Sequence, residues 1–457
     1  MHVALRVSRR GNVFDPGKLM NVASCRHAVL GICAVLGATG LVTSCSAPPI
    51  RAASASADRA FIEYWPPSND NRAPRLAVKD LIDVKGTVTT GGSKYLTQNG
   101  RPATRDAACL ARARERGVQF VGKTNLGELG LGVSGANDFY GTPINPMNPK
   151  ARFVPGGSSS GSAVAVATGM ADIALGTDTA GSIRIPAACC GVAGLKTTFG
   201  LVPLRGVIPL SPKHLDTVGP LAKDIPRLAQ GMDLLQAGFL ERYRQAAAEK
   251  PAARDITVGR LYVRGTDPAI DKAVDAALQA AGFRVVRLSD DFAAKWEQAQ
   301  DDGKRVAAAE SWITDRDYAN RPGVNDLTKA ALRLGKLEYQ TNYADAIERR
   351  PAWQSALRNE FRKVDFIATP TLLKLPPRIS HFGRSALLEL HVFEIQNTVA
   401  VNLAGNPALA MPVPVENRLL PVTSLQLVGP PRSEADLLQA GHLIEKGFAK
   451  SSTTASR

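Results

Sequence analysis

The spacing of apolar and polar positions divides the chain into short helices and strands. Residues 104–116 carry an amphipathic helical pattern, with Thr104 placed to cap it and Gly117 suited to the left-handed turn that ends a helix. Val118-Gln119-Phe120-Val121 follows as a short buried strand. A second unit is sharper. Residues 256–262 form a strand pattern, Asp267-Pro268 starts a helix that reaches Ala281, Gly282 stops it, and 283–288 return as a strand. Residues 364–368 give another apolar strand, closed by Thr369-Pro370. Ser433 with Asp436 makes a capping box, and the helix it opens sets Leu437, Gly441, Ile444 and Phe448 on one face. Strands alternating with helices predict a single large α/β domain over 61–450.

The first 60 residues follow a different pattern. Arg6, Arg9, Arg10, Lys18 and Arg26 stand against Asp15 alone, and an uncharged apolar run occupies 28–43. A basic flank, a short apolar stretch and small residues before a break make an export signal, and the run is shorter than the roughly 20 residues a spanning helix needs. Its ending, Val42-Thr43-Ser44-Cys45, resembles the bacterial lipobox, which implies acylation of Cys45 and an exported, periplasmic lipoprotein. A misassigned start would instead leave a cytoplasmic protein. Residues 46–60, rich in Ser, Ala and Pro, read as a flexible tether, and 451–457 as a disordered tail.

Composition narrows the function classes. The 457 residues are 44% hydrophobic and 21% charged, near the globular average, which excludes a disordered, collagen-like or multispanning protein. The net charge of +15 raises the question of a polyanion partner, but part of it lies in the leader and the rest is dispersed without aromatic interleaving. No nucleic-acid partner is assigned, and contact with a membrane is expected through the lipid anchor only. Six cysteines are too few for a disulfide scaffold. No metal site or cofactor is expected.

Three motifs carry candidate chemistry. Gly117 to Thr124 matches the phosphate-loop pattern formally, but Val118, Phe120 and Val121 are strand formers and the helix lies before the loop, so the context fails. Gly157-Ser158-Ser159-Ser160-Gly161 satisfies the nucleophile-elbow pattern with Ser159 central. It lacks the preceding hydrophobic strand, and no local pattern marks His214, His381, His391 or His442 as a partner. The third is the stretch 155–200. A glycine-serine turn leads into a small-residue helix, a strand at 173–175 and a second turn, Thr179-Ala180-Gly181-Ser182. A serine among small residues can have several backbone N–H groups beside it, the donors that stabilise an oxyanion in acyl transfer.

This stretch resembles the signature of the amidase signature family, and the likeness extends well beyond it. Ala77-Val78-Lys79-Asp80-Leu81-Ile82-Asp83-Val84-Lys85-Gly86 resembles the family's catalytic-lysine segment. Gly122-Lys123-Thr124-Asn125 through Glu128, with Gly132-Val133-Ser134, resembles the next block and a possible pocket. Asp216-Thr217-Val218-Gly219-Pro220, Asn402-Leu403-Ala404-Gly405-Asn406-Pro407-Ala408 and Leu425-Gln426-Leu427-Val428-Gly429-Pro430 also fit, so the resemblance covers most of 75–445.

The resemblance implies one domain with a mixed central β-sheet flanked by helices, and a Ser–cis-Ser–Lys triad. Ser182 takes the nucleophile's place, Ser158 that of the bridging serine after a cis peptide bond, and Lys79 that of the general base. Backbone N–H groups of Thr179, Ala180, Gly181 and Ser182 would bind the oxyanion, while Asp178 and Arg184 read as a supporting ion pair. Two positions depart from the pattern, since Ala180 and Ser160 stand where glycines are usual, as in the allophanate-hydrolase branch. The helical region that many relatives place before the lysine is mostly absent, which leaves oligomeric state and substrate channel open. The implied activity is hydrolysis of a linear carbon–nitrogen amide bond in a small-molecule substrate. The alternatives are an inactive exported binding lipoprotein and a glutamine-hydrolysing amidotransferase subunit.

Overall fold

The computed structural model describes residues 58–68, 72–249, 252–379, 385–417 and 419–455. The leader 1–45 with Cys45, most of the tether and His381 lie outside them.

One mixed sheet of eleven strands organises the domain. Strands β1 (Phe61–Tyr64), β3 (Gln119–Thr124), β2 (Arg75–Lys79), β4 (Ile173–Asp178), β6 (Thr217–Ala222) and β5 (Ala193–Lys196) form one half in that spatial order. Strands β10 (Ala408–Pro414), β11 (Val422–Val428), β9 (Phe366–Pro370), β7 (Thr257–Arg260) and β8 (Arg284–Arg287) form the other. β2 runs parallel to β3 and β4, and β7 runs parallel to β8 and β9, while the other pairings are antiparallel.

Strand alternation sends side chains to both faces. Phe366, Ala368, Leu425 and Leu427 pack with Leu437 and Ile444 of the last helix on one side. Ile367 and Val428 meet Trp296, Trp353 and Leu357 on the other. Leu437 and Ile444 are fully buried, each worth about 1.5–3 kcal/mol relative to exposure. The expected face of that helix is therefore present, although it runs Glu434–Ala455 and so enters the segment expected as a disordered tail.

The helix Pro268–Ala281 forms as the sequence predicts, with the Asp267 side chain accepting from Ala269 N and Gly282 at φ 83°. The helix expected over 104–116 is much shorter. It consists of a 3₁₀ turn at Ala108–Leu110 and a helix at Ala111–Glu115. Its first half is drawn into loop pairings instead: Ala107 N bonds Asp83 O, and Ala108 N bonds Arg205 O. The strand expected at 364–368 begins at Phe366, because Val364 N still bonds back to Glu360 O.

The site depends on one consequence of this topology. β2 and β4 are parallel neighbours, with Val78 opposite Leu175, so their carboxyl ends lie side by side. β2 ends at Lys79 and β4 at Asp178. Between them in sequence, the helix Ser160–Ala167 packs its small, buried residues against the sheet.

Candidate active site

Lys79 is fully buried. Its Nζ donates to Ser158 Oγ and to Thr177 Oγ1, both at 2.8 Å. No carboxylate among the described residues pairs with it. Burial lowers its pKa to about 7, against the opposing pull of Asp178 and Asp216. A lysine in this state can hold or release a proton near neutral pH.

Ser158 follows a cis peptide bond from Gly157, the geometry that the resemblance implies. The glycines before it are there for space. A Cβ on Gly157 would lie 2.2 Å from Gly132 O, and Gly157 N donates to Val133 O at 2.7 Å. The loop carrying Gly132, Val133 and Ser134 is thus seated on the serine turn. Glu389, from the helix Ala386–Ile395, anchors that loop by accepting from Ser134 N at 3.0 Å and Ser134 Oγ at 2.6 Å.

Ser182 is 5% exposed, and its carbonyl accepts from Ser159 N at 3.2 Å, which brings the two serine turns together. The turn around it is tied down by Asp178, whose Oδ1 accepts from Gly181 N at 2.8 Å and Oδ2 from Ile183 N at 3.2 Å. This corrects one expectation. Gly181's N–H is spent on a carboxylate and does not face an oxyanion. The N–H groups of Thr179, Ala180 and Ser182 have no protein acceptor among the described residues. Ala180 does not take a positive φ, so its methyl leaves the N–H in place. Gly181 does take one, at 123°, and a Cβ there would lie 2.2 Å from Thr398 Oγ1.

Arg184 is buried beside Asp178, donating to it from Nε at 3.0 Å and Nη2 at 2.9 Å. Its Nη1 donates to Thr398 O at 2.9 Å and Gln426 Oε1 at 2.6 Å, and Asn402 Nδ2 donates to Asp178 Oδ1 at 2.8 Å. Burial alone would raise Asp178, but Arg184, Lys196 and Asn402 hold its carboxyl well below the usual carboxylate range. Asp178 and Arg184 thus form a fully buried ion pair. No local sequence pattern gives Thr177, Thr398, Asn402 and Gln426 these contacts. The available signal is an uncharged polar residue inside a fully apolar run, as at Asn402 in Val399–Ala404.

The two decoys resolve cleanly. Lys123 is buried against Asp80 at 2.8 Å and donates to Ile82 O, so it serves as a core ion pair. Ser159 Oγ donates to Thr177 O at 3.3 Å. His214 bonds Glu310, His442 meets Glu445 at 3.5 Å, and no hydrogen bond joins a described histidine to Ser159.

The structure thus brings a buried amine onto Ser158, beside the turn that carries Ser182, with no described histidine bonded to Ser159 between them. The Amidase family model matches residues 75–438, and the chain belongs to that family. It is an amidase, a hydrolase acting on carbon–nitrogen bonds. It is 36% identical over 378 residues to 2-amino-5-chloromuconic acid deaminase of Comamonas testosteroni, covering 79% of each chain. It is 35% identical over 411 residues to one component of the glutamyl-tRNA(Gln) amidotransferase of Natronomonas pharaonis, covering 81% of this chain and 94% of that one. Among solved structures, one described as an amidase superposes with a TM-score of 0.67 at 29% identity, covering 82% of this chain and 84% of the other.

Proposed function

We propose that the chain hydrolyses a small linear amide to a carboxylate and ammonia or an amine, through an acyl-enzyme on Ser182. The observation that carries this reading is Lys79, buried, unpaired by any described acid and donating to Ser158 at 2.8 Å. Neutral Lys79 accepts a proton from Ser158, which takes one from Ser182 as its Oγ attacks the carbonyl carbon. The oxyanion is held by the N–H groups of Thr179, Ala180 and Ser182. The relay then runs backward, protonating the leaving nitrogen as the C–N bond breaks. Water, deprotonated along the same path, releases the carboxylate and restores Ser182.

A serine-directed fluorophosphonate tests this directly. We expect one label per native chain and none on Ser182→Ala. Equal labelling of the two, or none on the native chain, would overturn the reading. Ammonia release from a panel of aliphatic, aryl and peptide amides then defines the substrate. Glutamine belongs in the panel, because turnover of glutamine alone would favour an amidotransferase role.

We further infer that the chain is exported and acylated at Cys45, supported by the basic flank and the uncharged run before it. Palmitate should label the full chain and not Cys45→Ala. Incorporation that survives the substitution would reject the assignment.

A further inference from the structure

The turn that presents Ser182 has two kinds of tether. Its second half is fixed by Asp178 on Gly181 N and Ile183 N, and its middle by Thr398 Oγ1 donating to Ala180 O at 2.6 Å. Its first half is held from outside. Thr179 Oγ1 donates to Asp216 Oδ1 at 2.7 Å, and Asp216 Oδ2 accepts from Leu210 N and Ser211 N, each at 2.9 Å. Asp216 is 7% exposed and precedes β6, whose Thr217 pairs with Asp178 at the end of β4.

Its anchor is itself braced. Thr314 Oγ1 donates to Leu210 O at 3.1 Å, and Ser211 Oγ bonds Glu310, which also receives Tyr343 OH at 2.7 Å. Thr314 and Glu310 both lie on the long helix Asp290–Asp315. A hydroxyl and two backbone N–H groups, all donors, converge on one side chain. A carboxylate accepts at both ends, whereas an amide has one acceptor end and would have to turn its NH₂ to Thr179 Oγ1 and reverse that hydrogen bond.

We propose that Asp216 is a positioning residue for acyl transfer, holding Thr179 so that the N–H groups of Thr179 and Ala180 point at the developing oxyanion. This rests on the reading of Ser182 as nucleophile. Asp216 touches no reacting atom; it acts through the Thr179 side chain. Donors held by two tethers do not need to reorganise when charge appears on the carbonyl oxygen, whereas a turn released at Thr179 does.

The test is the rate of fluorophosphonate labelling at Ser182, a reaction that also builds negative charge on an oxygen beside the serine. Thr179→Val keeps the shape and removes the donor. We expect labelling to slow on the order of 10²-fold, to reach the same final stoichiometry, and to leave the thermal midpoint within a few degrees. Thr179→Ser should restore the rate. Thr179→Ala, which cannot overpack, replaces the valine variant if that one is misfolded. Asp216→Ala, which removes the tether outright, should slow labelling at least as much as Thr179→Val, and the double variant should be no slower than the worse single one. Native-like labelling rates in folded Thr179→Val or Thr179→Ala would overturn the positioning role while leaving the nucleophile intact. Absence of any label on the native chain would overturn the acyl-enzyme reading instead.

Discussion

Lys79→Met will lower kcat/KM by about 10²–10⁴-fold, the range for loss of a positioned general base, and will not destabilise the protein at neutral pH. The two outcomes share one cause. Burial lowers the Lys79 pKa from 10.5 to about 7, so near neutral pH a large share of the folded chains hold the amine neutral where the unfolded chain would protonate it. Between those values the unfolded state binds the extra proton, and stability rises with pH. Methionine fills the same space without an amine to desolvate, which removes that contribution and the base together. In the native enzyme kcat/KM should climb as pH rises through about 7, because only neutral Lys79 can accept a proton. Lys196, buried on Thr197 O and Asn406 O, is also lowered to about 7 by burial. Lys196→Met is therefore the control. A rate profile that keeps its rising limb in Lys79→Met, or loses it only in Lys196→Met, would assign the base to the wrong lysine.

The legibility of the two lysines separates what a sequence shows from what it hides. Lys79 stands out because a charge sits inside an apolar strand pattern, and the structure buries it at the carboxyl end of β2. The meaning of that burial depends on β4 lying parallel beside it, a long-range pairing that no local period encodes. Thr177 shares the lysine with Ser158, yet in sequence it is one β-branched residue among the strand residues Ile173–Asp178. Gly181 shows the opposite failure. Its place in the serine turn suggests an oxyanion donor, and only the carboxylate of Asp178, folded back over the turn, reveals that its N–H is taken. Helix ends are legible where the signal is local, as at Asp267 and Gly282. The pattern at 104–116 overstates its helix because loops distant in sequence claim the first N–H groups.

Arg184→Met will cost the fold about 3–5 kcal/mol, the usual penalty for stranding one member of a buried ion pair, and that is a large share of the roughly 5–15 kcal/mol a domain has. Arg184 and Asp178 are both fully buried, and the carboxylate holds Gly181 N, Ile183 N and Asn402 Nδ2 as well as the guanidinium. Without Arg184 the burial of Asp178 is weakly opposed, and its pKa moves upward. The sign on acid stability follows. In the native chain the depressed carboxyl contributes stability that is fully present above the unfolded-state value, near about 3.9, and is lost as pH falls from there toward the folded value. Acid unfolding of Arg184→Met should therefore begin at a higher pH than in the native chain, read by circular dichroism. Replacing both partners, Arg184→Met with Asp178→Asn, should recover part of the lost stability, because no uncompensated charge remains. It should not recover Ser182 labelling, because an amide cannot hold both Gly181 N and Ile183 N as the carboxylate does. If the double variant regains the native labelling rate, the pair serves packing alone and Asp178 does not shape the turn. If it regains no stability, the cost lies in lost contacts to Thr398, Asn402 and Gln426 and not in the stranded charge.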